Sequence, residues 1–387
     1  MATYTTISAF TAGQTLASAT MNSVKNNLDL TNAQSLYRFR NLLHNGAMNV
    51  AQRGAAGTTS VSTTKFPCVD RWSIGLSSAG TYTITQATDA PDSSGLSVSS
   101  KIACTAAVAS PGATASATYQ QILEGQDVQH MLKGTASALQ VTLTFWVKST
   151  TTGTYVVEIG DLTNTRFVSA SYTINNANTW EQKTITFPAD TTGVIANSAA
   201  GGLLTNFWLV AGSNYSSGTL STTWGTTSAN RAVGQTNFAA LNTNTWQVTG
   251  VQLEIGAVST PFEIVPYGDE LRRCQRYYAQ SYEIGTAPGT VTTTGMETWT
   301  VGSNGASLAH IKVPLPVAMR STSPTITLYS DSTSATGTWH YARNTAANDV
   351  SATADMITSK SFHVSLNVGA TWVPAHLYGH WVASAEI

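Results

Sequence analysis

Thr249–Ser281 reads TGVQLEIGAVSTPFEIVPYGDELRRCQRYYAQS, and within it one kind of sequence stops and another begins. Val251, Leu253 and Ile255 alternate with Gln252 and Glu254, the period of a half-buried strand. Pro261, Pro266 and Gly268 then punctuate the chain. From Asp269 charge becomes dense, with Asp269 and Glu270 ahead of Arg272, Arg273 and Arg276. Acid first and base later is the order a helix dipole favours. Leu271, Cys274 and Tyr278 fall at i, i+3 and i+7, which gives a short helix with one apolar stripe. The stretch therefore predicts a closing strand followed by a junction helix over 268–281, between a large β domain and a smaller one.

The wider composition supports a mainly β chain. Only 10% of the 387 residues are charged and the formal net charge is −1, so Ser, Thr, Asn and Gly must carry solubility. No basic face is available for a phosphate backbone, and nucleic acid is not an expected partner. No apolar run reaches the length of a membrane span, and the first thirty residues lack the order of a signal peptide. Synthesis in a cytoplasm, without membrane insertion, is the expectation. Cys68, Cys104 and Cys274 are odd in number and far apart, which fits buried free thiols rather than a disulfide framework or a zinc site. Blocks such as TTTGTY and STTWGTTSAN suit strands and turns better than helix interiors.

Residues 1–40 differ from the rest. Ser18 is a plausible N-cap, and Met21, Val24 and Leu28 follow at helical spacing, a narrow seam suited to a partner or to copies of itself. The plainer alternative is a short helix covering its own domain. NLLHNGAMNVAQRG then reads as strand and turn about Asn45–Gly46. Short alternating runs follow: TYTIT, SVSSKIAC, SATYQQIL, LQVTLTFWVKS, TYVVEIG, VSASYTI, EQKTITF, FWLVAG and WQVTGVQLEI. A jelly-roll β-sandwich over 41–267 accounts for them. In LQVTLTFWVKS, Val141, Leu143, Phe145 and Val147 share the core face. Residues 282–387 contain TWTV, SLAHIKVPLP, TITLYS, GTWHYARN, SFHVSLNV and LYGHWVASAEI, joined by SDSTSATG and NTAANDVSATAD, which read as exposed loops. A smaller C-terminal β-sandwich is predicted there.

NLLHNGAMNVAQRG, VDRW, LTFWVKS, TWEQKTITFPADTTG and the closing stretch through YYAQS together resemble tail fibre and other virion proteins of tailed bacteriophages, which carry a jelly roll like that of carbohydrate-binding modules. The likeness covers roughly 41–281. VPLPVAMRSTSPTITLYS and SAEI resemble the small β domain that often follows, and FTAGQTLASATMN resembles the start of many phage structural proteins. The resemblance implies a virion component, homotrimeric, attached to other virion proteins by its N-terminus and assembled in the host cytoplasm. A tail position and adhesion to host-surface polysaccharide follow from it. It supplies no catalytic residues, cofactor or metal.

The residues themselves leave several chemistries to weigh. Glu124, Asp127, Glu158, Asp161, Glu181 and Asp190 are scattered over turns and strand ends, not arranged as the paired carboxylates of a glycosidase. GxSxG, P-loop and HExxH patterns are missing. Asp70 beside Arg71 and Trp72 reads as an ion pair against a core aromatic. His376 and His380 in HLYGH share a strand face, yet two same-chain ligands are a weak metal signal, so no metal is expected. Sugars stack on flat aromatic faces with polar groups at the rim. Among ten tryptophans, Trp72, Trp146, Trp208 and Trp246 fall in strand patterns and read as core. Trp224, Tyr215 and Trp339, with His340 and Tyr341, fall in polar surroundings and are the glycan-contact candidates; the alternative is that they pin loops or fill a subunit interface. The leading expectation is a non-enzymatic tail fibre, with a capsid-decorating or collar protein and a glycan-cleaving fibre as alternatives. In it the junction arginines Arg272, Arg273 and Arg276 pair with Asp269, Glu270 or a neighbouring chain.

Overall fold

The computed structural model describes residues 18–25, 40–55, 62–63, 65–92, 94–301, 308–343, 346–367 and 375–387. Its body is a jelly-roll sandwich of two five-stranded antiparallel sheets. One runs β1 (Ser73–Ser77), β4 (Ser116–Glu124), β9 (Gly201–Ala211), β6 (Gly153–Asp161), β7 (Arg166–Ile174). The other runs β2 (Thr81–Ala87), β3 (Ser99–Ala106), β10 (Thr245–Ile255), β5 (Val141–Ser149), β8 (Glu181–Phe187). Val141, Leu143, Phe145 and Val147 of β5 are buried, as their alternation requires. Phe145 meets Phe207 of the facing sheet edge-on at 5.0 Å between centroids, and Phe207 meets Trp246 at 5.6 Å. Each such ring contributes about 1.5–3 kcal/mol through burial, and this aromatic layer holds the sheets face to face.

Residues 41–54 do not form the predicted strand. They run as bends and turns that plug one end of the sandwich. The cause lies in β10, whose pairing with β5 shifts between Thr249 and Gln252 at a bulge. The plug bonds there in place of a ladder partner: Leu42 N donates to Leu253 O at 2.9 Å, Val251 N to Gly46 O at 2.9 Å, and Asn41 Nδ2 to Val251 O at 2.9 Å. At Gly46 a Cβ would sit 2.1 Å from Val251 O, so only glycine permits that approach. Asn45, at φ 54°, turns the chain and ties its side chain to Val50 and Asp70.

Helix α1 spans 18–25, with Met21 and Val24 exposed; Leu28 lies outside the described residues. A four-residue turn of helix, α2 (Ser213–Ser216), follows β9, and α3 spans Tyr267–Gln275. The junction helix is thus shorter than 268–281. Tyr278–Gln280 are β11, paired with Val382–Ser384, because the aromatic YYA run satisfies a strand partner better than a further helical turn.

The remaining strands are β12 (Glu297–Val301), β13 (Leu308–Pro314), β14 (Thr325–Tyr329), β15 (Thr338–Arg343), β16 (Ala346–Asp355), β17 (Ser361–Asn367) and β18 (Ala375–Ser384). β18 is the spine: its first half pairs with β12 and β15, its second with β11 and β14. From β15 the sheet continues through β16 and β17 to β13. Phe362 of β17 packs on Trp381 of β18 at 5.6 Å. Two strands separate them along the sheet, so it folds back over its own core as a small sandwich. NTAANDVSATAD was predicted as a loop but contributes β16; of its core-facing Val350, Ala352 and Ala354, two are alanines, which carry too little hydrophobicity to make the alternation stand out.

Candidate functional site

The outer face of the β2–β3–β10–β5–β8 sheet carries an aromatic-lined groove with polar groups at its rim. Trp146 was expected in the core, but Phe145 and Val147 on either side of it point inward, so Trp146 points out and is half-buried. It lines a groove of about 250 Å³ with Leu96, Thr144, Gln182, Thr184, Thr260 and Phe262. Its Nε1 makes no hydrogen bond among the described residues. The groove wall comes from the same stretch that closes the sandwich. Gln252 and Glu254 project from β10 on this side and draw 260–263 back over it, with Thr260 Oγ1 donating to Glu254 Oε2 at 2.6 Å and Glu263 N to Gln252 Oε1 at 2.8 Å. The floor depends on the bulge. Gly250 adopts φ 60°, and a Cβ there would meet Leu96 Cδ1 at 2.8 Å and the Trp146 ring at 3.1 Å.

A second tryptophan continues the face. Trp180 precedes β8 and donates Nε1 to Asp89 Oδ1 at 3.0 Å. The Lys148 ammonium lies 5.2 Å from its ring centroid and pairs with Asp89. Burial pushes the Asp89 carboxyl up, but hydrogen bonds from Lys148 and Trp180 outweigh it and hold the group below its ordinary range. The face thus presents indole surface, primary amide, hydroxyls, a carboxylate and an ammonium, the donor and acceptor set that a polyhydroxylated ring needs. The signal was in the sequence: Trp146 sits between two residues already assigned to the opposite face.

Trp224 and Tyr215 lie within the β9–β10 connection; Trp224 packs against the main core, and Tyr215 over the outer face of the other sheet. Trp208 belongs there too and not to the main core: it joins Val156 and Ala232 in a separate cluster against which Tyr215 packs. Arg231 lies 3.9 Å from the Phe167 centroid and 5.2 Å from Trp208, with Glu158 accepting from its Nε at 2.7 Å. Trp224 is half-buried and donates Nε1 to Pro188 O at 2.8 Å. Lys133 Nζ stands 4.7 Å from its ring and is held by Asp161, by Asp190 at 2.9 Å and by Gly193 O at 2.8 Å. Arg166 also pairs with Asp190. Burial raises the Asp190 carboxyl, but Arg166, Lys133 and Thr192 bring it down to about 2. Both aromatics are tied down by partners within the chain.

In the C-terminal sandwich Trp339, expected in polar surroundings, lies on strand β15. Trp339 is fully buried and donates Nε1 to His380 O at 3.1 Å; Gly379 leaves room for its ring, since a Cβ would be 2.3 Å from Trp339 Cδ1. Tyr341 shares that inward face and packs against the core. His340 alternates outward, with Nδ1 3.2 Å from Asp349 Oδ1 and a tilted contact with Tyr378. The candidate trio is therefore split across the sheet. His376 and His380 do not converge on an ion either. His380 is buried, stacked on Tyr282 at 3.8 Å, with Nδ1 at Ser281 Oγ and Nε2 at Thr292 O. Burial lowers its basicity.

At the junction, Arg272 pairs with Asp269 at 3.3 Å and Arg273 with Glu270 at 3.6 Å. Arg276 reaches the jelly roll, forking onto Glu124 at 2.7 and 2.8 Å. Glu270 Oε1 accepts from Asn45 N at 2.8 Å, which docks the helix on the plug. Asp70 does not pair with Arg71. Arg71 sits at φ 71° and faces away; Asp70 takes Arg53 at 3.1 Å, while Arg71 takes Glu386 at 2.7 Å. All three cysteines are buried thiols outside any disulfide among the described residues.

No family model and no curated protein matches the sequence. Solved structures that resemble it include the enzymatically active domain of bacteriophage CBA120 tailspike protein 4, at 16% identity and TM-score 0.31, over 56% of this chain and 22% of that one. A putative sugar binding protein from Bacteroides thetaiotaomicron aligns at 12% identity and TM-score 0.31, over 56% of this chain and 100% of its own. A family 11 carbohydrate-binding module from Clostridium thermocellum, solved with a mixed-linked tetrasaccharide, aligns at 11% identity and TM-score 0.27, over 54% of this chain and 100% of its own. The sheet order described above, rather than these partial likenesses, defines the fold.

Proposed function

We propose that this chain is a non-enzymatic virion adhesin of a tailed phage, a tail fibre whose jelly roll contacts host-surface glycan through the Trp146 face. The observation that carries the glycan reading is the outward Trp146 beside Gln182 and Thr184 in a groove of about 250 Å³. The virion assignment rests on the sequence resemblance. Attachment and trimerisation through residues 1–40 rest on it too, with support from the exposure of Met21 and Val24 on α1. The non-catalytic reading is supported by the partners of Glu124, Glu158, Asp161 and Asp190, each held by a lysine or arginine of the same chain. Several weak contacts on one oligomer would add through effective concentration.

The test is retardation of the purified protein in gels cast with host-surface polysaccharide. Wild type is expected to be slowed, Trp146→Ala to lose at least about tenfold in affinity, as removal of a stacking ring worth about 1.5 kcal/mol implies, and Trp339→Ala to act only through unfolding. Equal retardation of wild type and Trp146→Ala refutes the assignment of this face. New reducing ends in the polysaccharide would refute the non-enzymatic reading.

A further inference from the structure

We infer a divalent transition-metal site on the solvent side of the C-terminal sandwich, formed by His310, Asp355 and His363. The register brings them together on three adjacent strands: Asp355 of β16 stands opposite His363 of β17, and His310 of edge strand β13 stands opposite Ser365, two residues along the same face. One ligand atom from each of the three lies within 4.8 Å of the others. Ligands about 2.0–2.1 Å from a tetrahedral ion stand roughly 3.4 Å apart, so small rotamer adjustments close the set.

Two features distinguish this cluster from an ordinary polar patch. Among the described residues Asp355 Oδ1 and His363 Nδ1 are both buried atoms without a hydrogen-bond partner, a costly condition that an ion would relieve. The hydrogen-bond chain also fixes the tautomer of His310. The Ser365 hydroxyl donates its single proton to Asp355 Oδ2 at 2.6 Å, so His310 Nδ1, at 2.8 Å from Ser365 Oγ, must be the donor of that bond. Nε2 then carries the lone pair. A histidine whose second nitrogen is held in this way is oriented for metal ligation. Lys312, opposite His363 on the same face, is the competing cation, but it is exposed and can turn its ammonium to water. Two imidazoles and a carboxylate suit zinc-type ions and not calcium or magnesium, which take oxygen ligands. The ion would clamp edge strand β13 to β17 and β16 across the face of the sheet. This site is separate from the Trp146 face and does not depend on the glycan reading.

The experiment is calorimetric titration of the full chain, stripped with chelator, with Zn²⁺ at neutral pH, accompanied by Co²⁺ absorption spectra. One Zn²⁺ per chain is expected, with tetrahedral-type Co²⁺ bands displaced by Zn²⁺ and a thermal transition raised by Zn²⁺. His363→Gln and Asp355→Asn should each weaken binding by at least about tenfold, the lower bound for losing even a supporting group, and should keep the wild-type circular dichroism. His376→Gln, on another strand, should bind as wild type. Lack of stoichiometric Zn²⁺ uptake overturns the site, as does uptake that both His363→Gln and Asp355→Asn retain.

Discussion

Removing the Glu386 carboxylate tests how the two sandwiches are joined. Glu386 Oε2 accepts from Arg71 Nη1 at 2.7 Å and Oε1 from Arg53 Nη2 at 2.7 Å. The two arginines are not equivalent. Arg53 keeps Asp70 at 3.1 Å and its stack on Tyr278 at 3.5 Å if Glu386 is lost. Among the described residues Arg71 keeps only the Ile122 carbonyl and the Tyr277 ring, with a side chain 1% exposed and a buried Nε that has no partner there. Glu386→Ala therefore strands a buried guanidinium, at a cost of about 3–5 kcal/mol, a large share of the roughly 5–15 kcal/mol typical of a folded protein. Urea unfolding at pH 7, followed by tryptophan fluorescence, reads the loss. Glu386→Gln, which keeps shape and an acceptor oxygen, should lose about half as much. Arg71→Met combined with Glu386→Leu should recover most of it, since a buried pair replaced by packed apolar groups is often neutral. A Glu386→Ala protein within about 0.5 kcal/mol of wild type, or a double variant no better than the single one, would refute the reasoning.

Three further expectations follow from the same kind of accounting. Burial lifts the Asp70 carboxyl to about 6, against the pull of Arg53 and Gln52; the native state then holds a proton that the unfolded chain has released, so this contribution is full below pH 3.9 and lost as pH rises through about 6, worth about 3 kcal/mol. Asp70→Asn should flatten the stability difference between pH 4 and 7 in urea titrations, and an unchanged slope would contradict it. Gly250→Ala should cost about 1–2 kcal/mol for a left-handed non-glycine residue and reduce polysaccharide retardation by displacing Leu96 and Trp146, whereas retardation at the wild-type level would show that the bulge does not shape the groove. Lys133→Met should leave Asp161 and Asp190 facing each other and lower stability by about 3–5 kcal/mol, with Asp190→Asn in the same background restoring part of it; a lone Lys133→Met near wild type would mean the cage is solvated.

Nine of the ten jelly-roll strands, β2 to β10, were legible as short apolar runs, β5 the plainest by its alternation, while the short β1 (Ser73–Ser77) was not read as a run of its own. The same alternation already placed Trp146 on the outside, yet its size and setting between Phe145 and Val147 drew it into the core list. Period two, not hydrophobicity, decides which face a residue takes. Trp339 failed in the opposite direction: polar neighbours in TWHYARN made it look exposed, but alternate residues of a strand at the sandwich core sit inside whatever flanks them. β16 was illegible for a related reason, since Ala352 and Ala354 at its inward positions carry almost no signal, and its place is set by pairing with β15 and β17.

Residues far apart in sequence supply what local pattern cannot. The plug at 41–54 read as strand and turn on the strength of Asn45–Gly46, but its backbone groups are matched to the β10 bulge over two hundred residues away, a partner no window contains. His310, Asp355 and His363 likewise have no motif spacing; three strand registers alone bring them together. The opening stretch 249–281 serves both kinds of information at once. Its local alternation marks the closing strand, and its irregularities do the rest: the Gly250 bulge admits the plug on one side and seats Trp146 on the other, Gln252 and Glu254 pull 260–263 into a groove wall, and Tyr278–Gln280 leave the helix to begin the second sandwich. A regular strand followed by a full helix over 268–281 would have lost the groove and the seam between the domains, so the departures from periodicity in this stretch, more than the periodicity, position the face where ligand is expected.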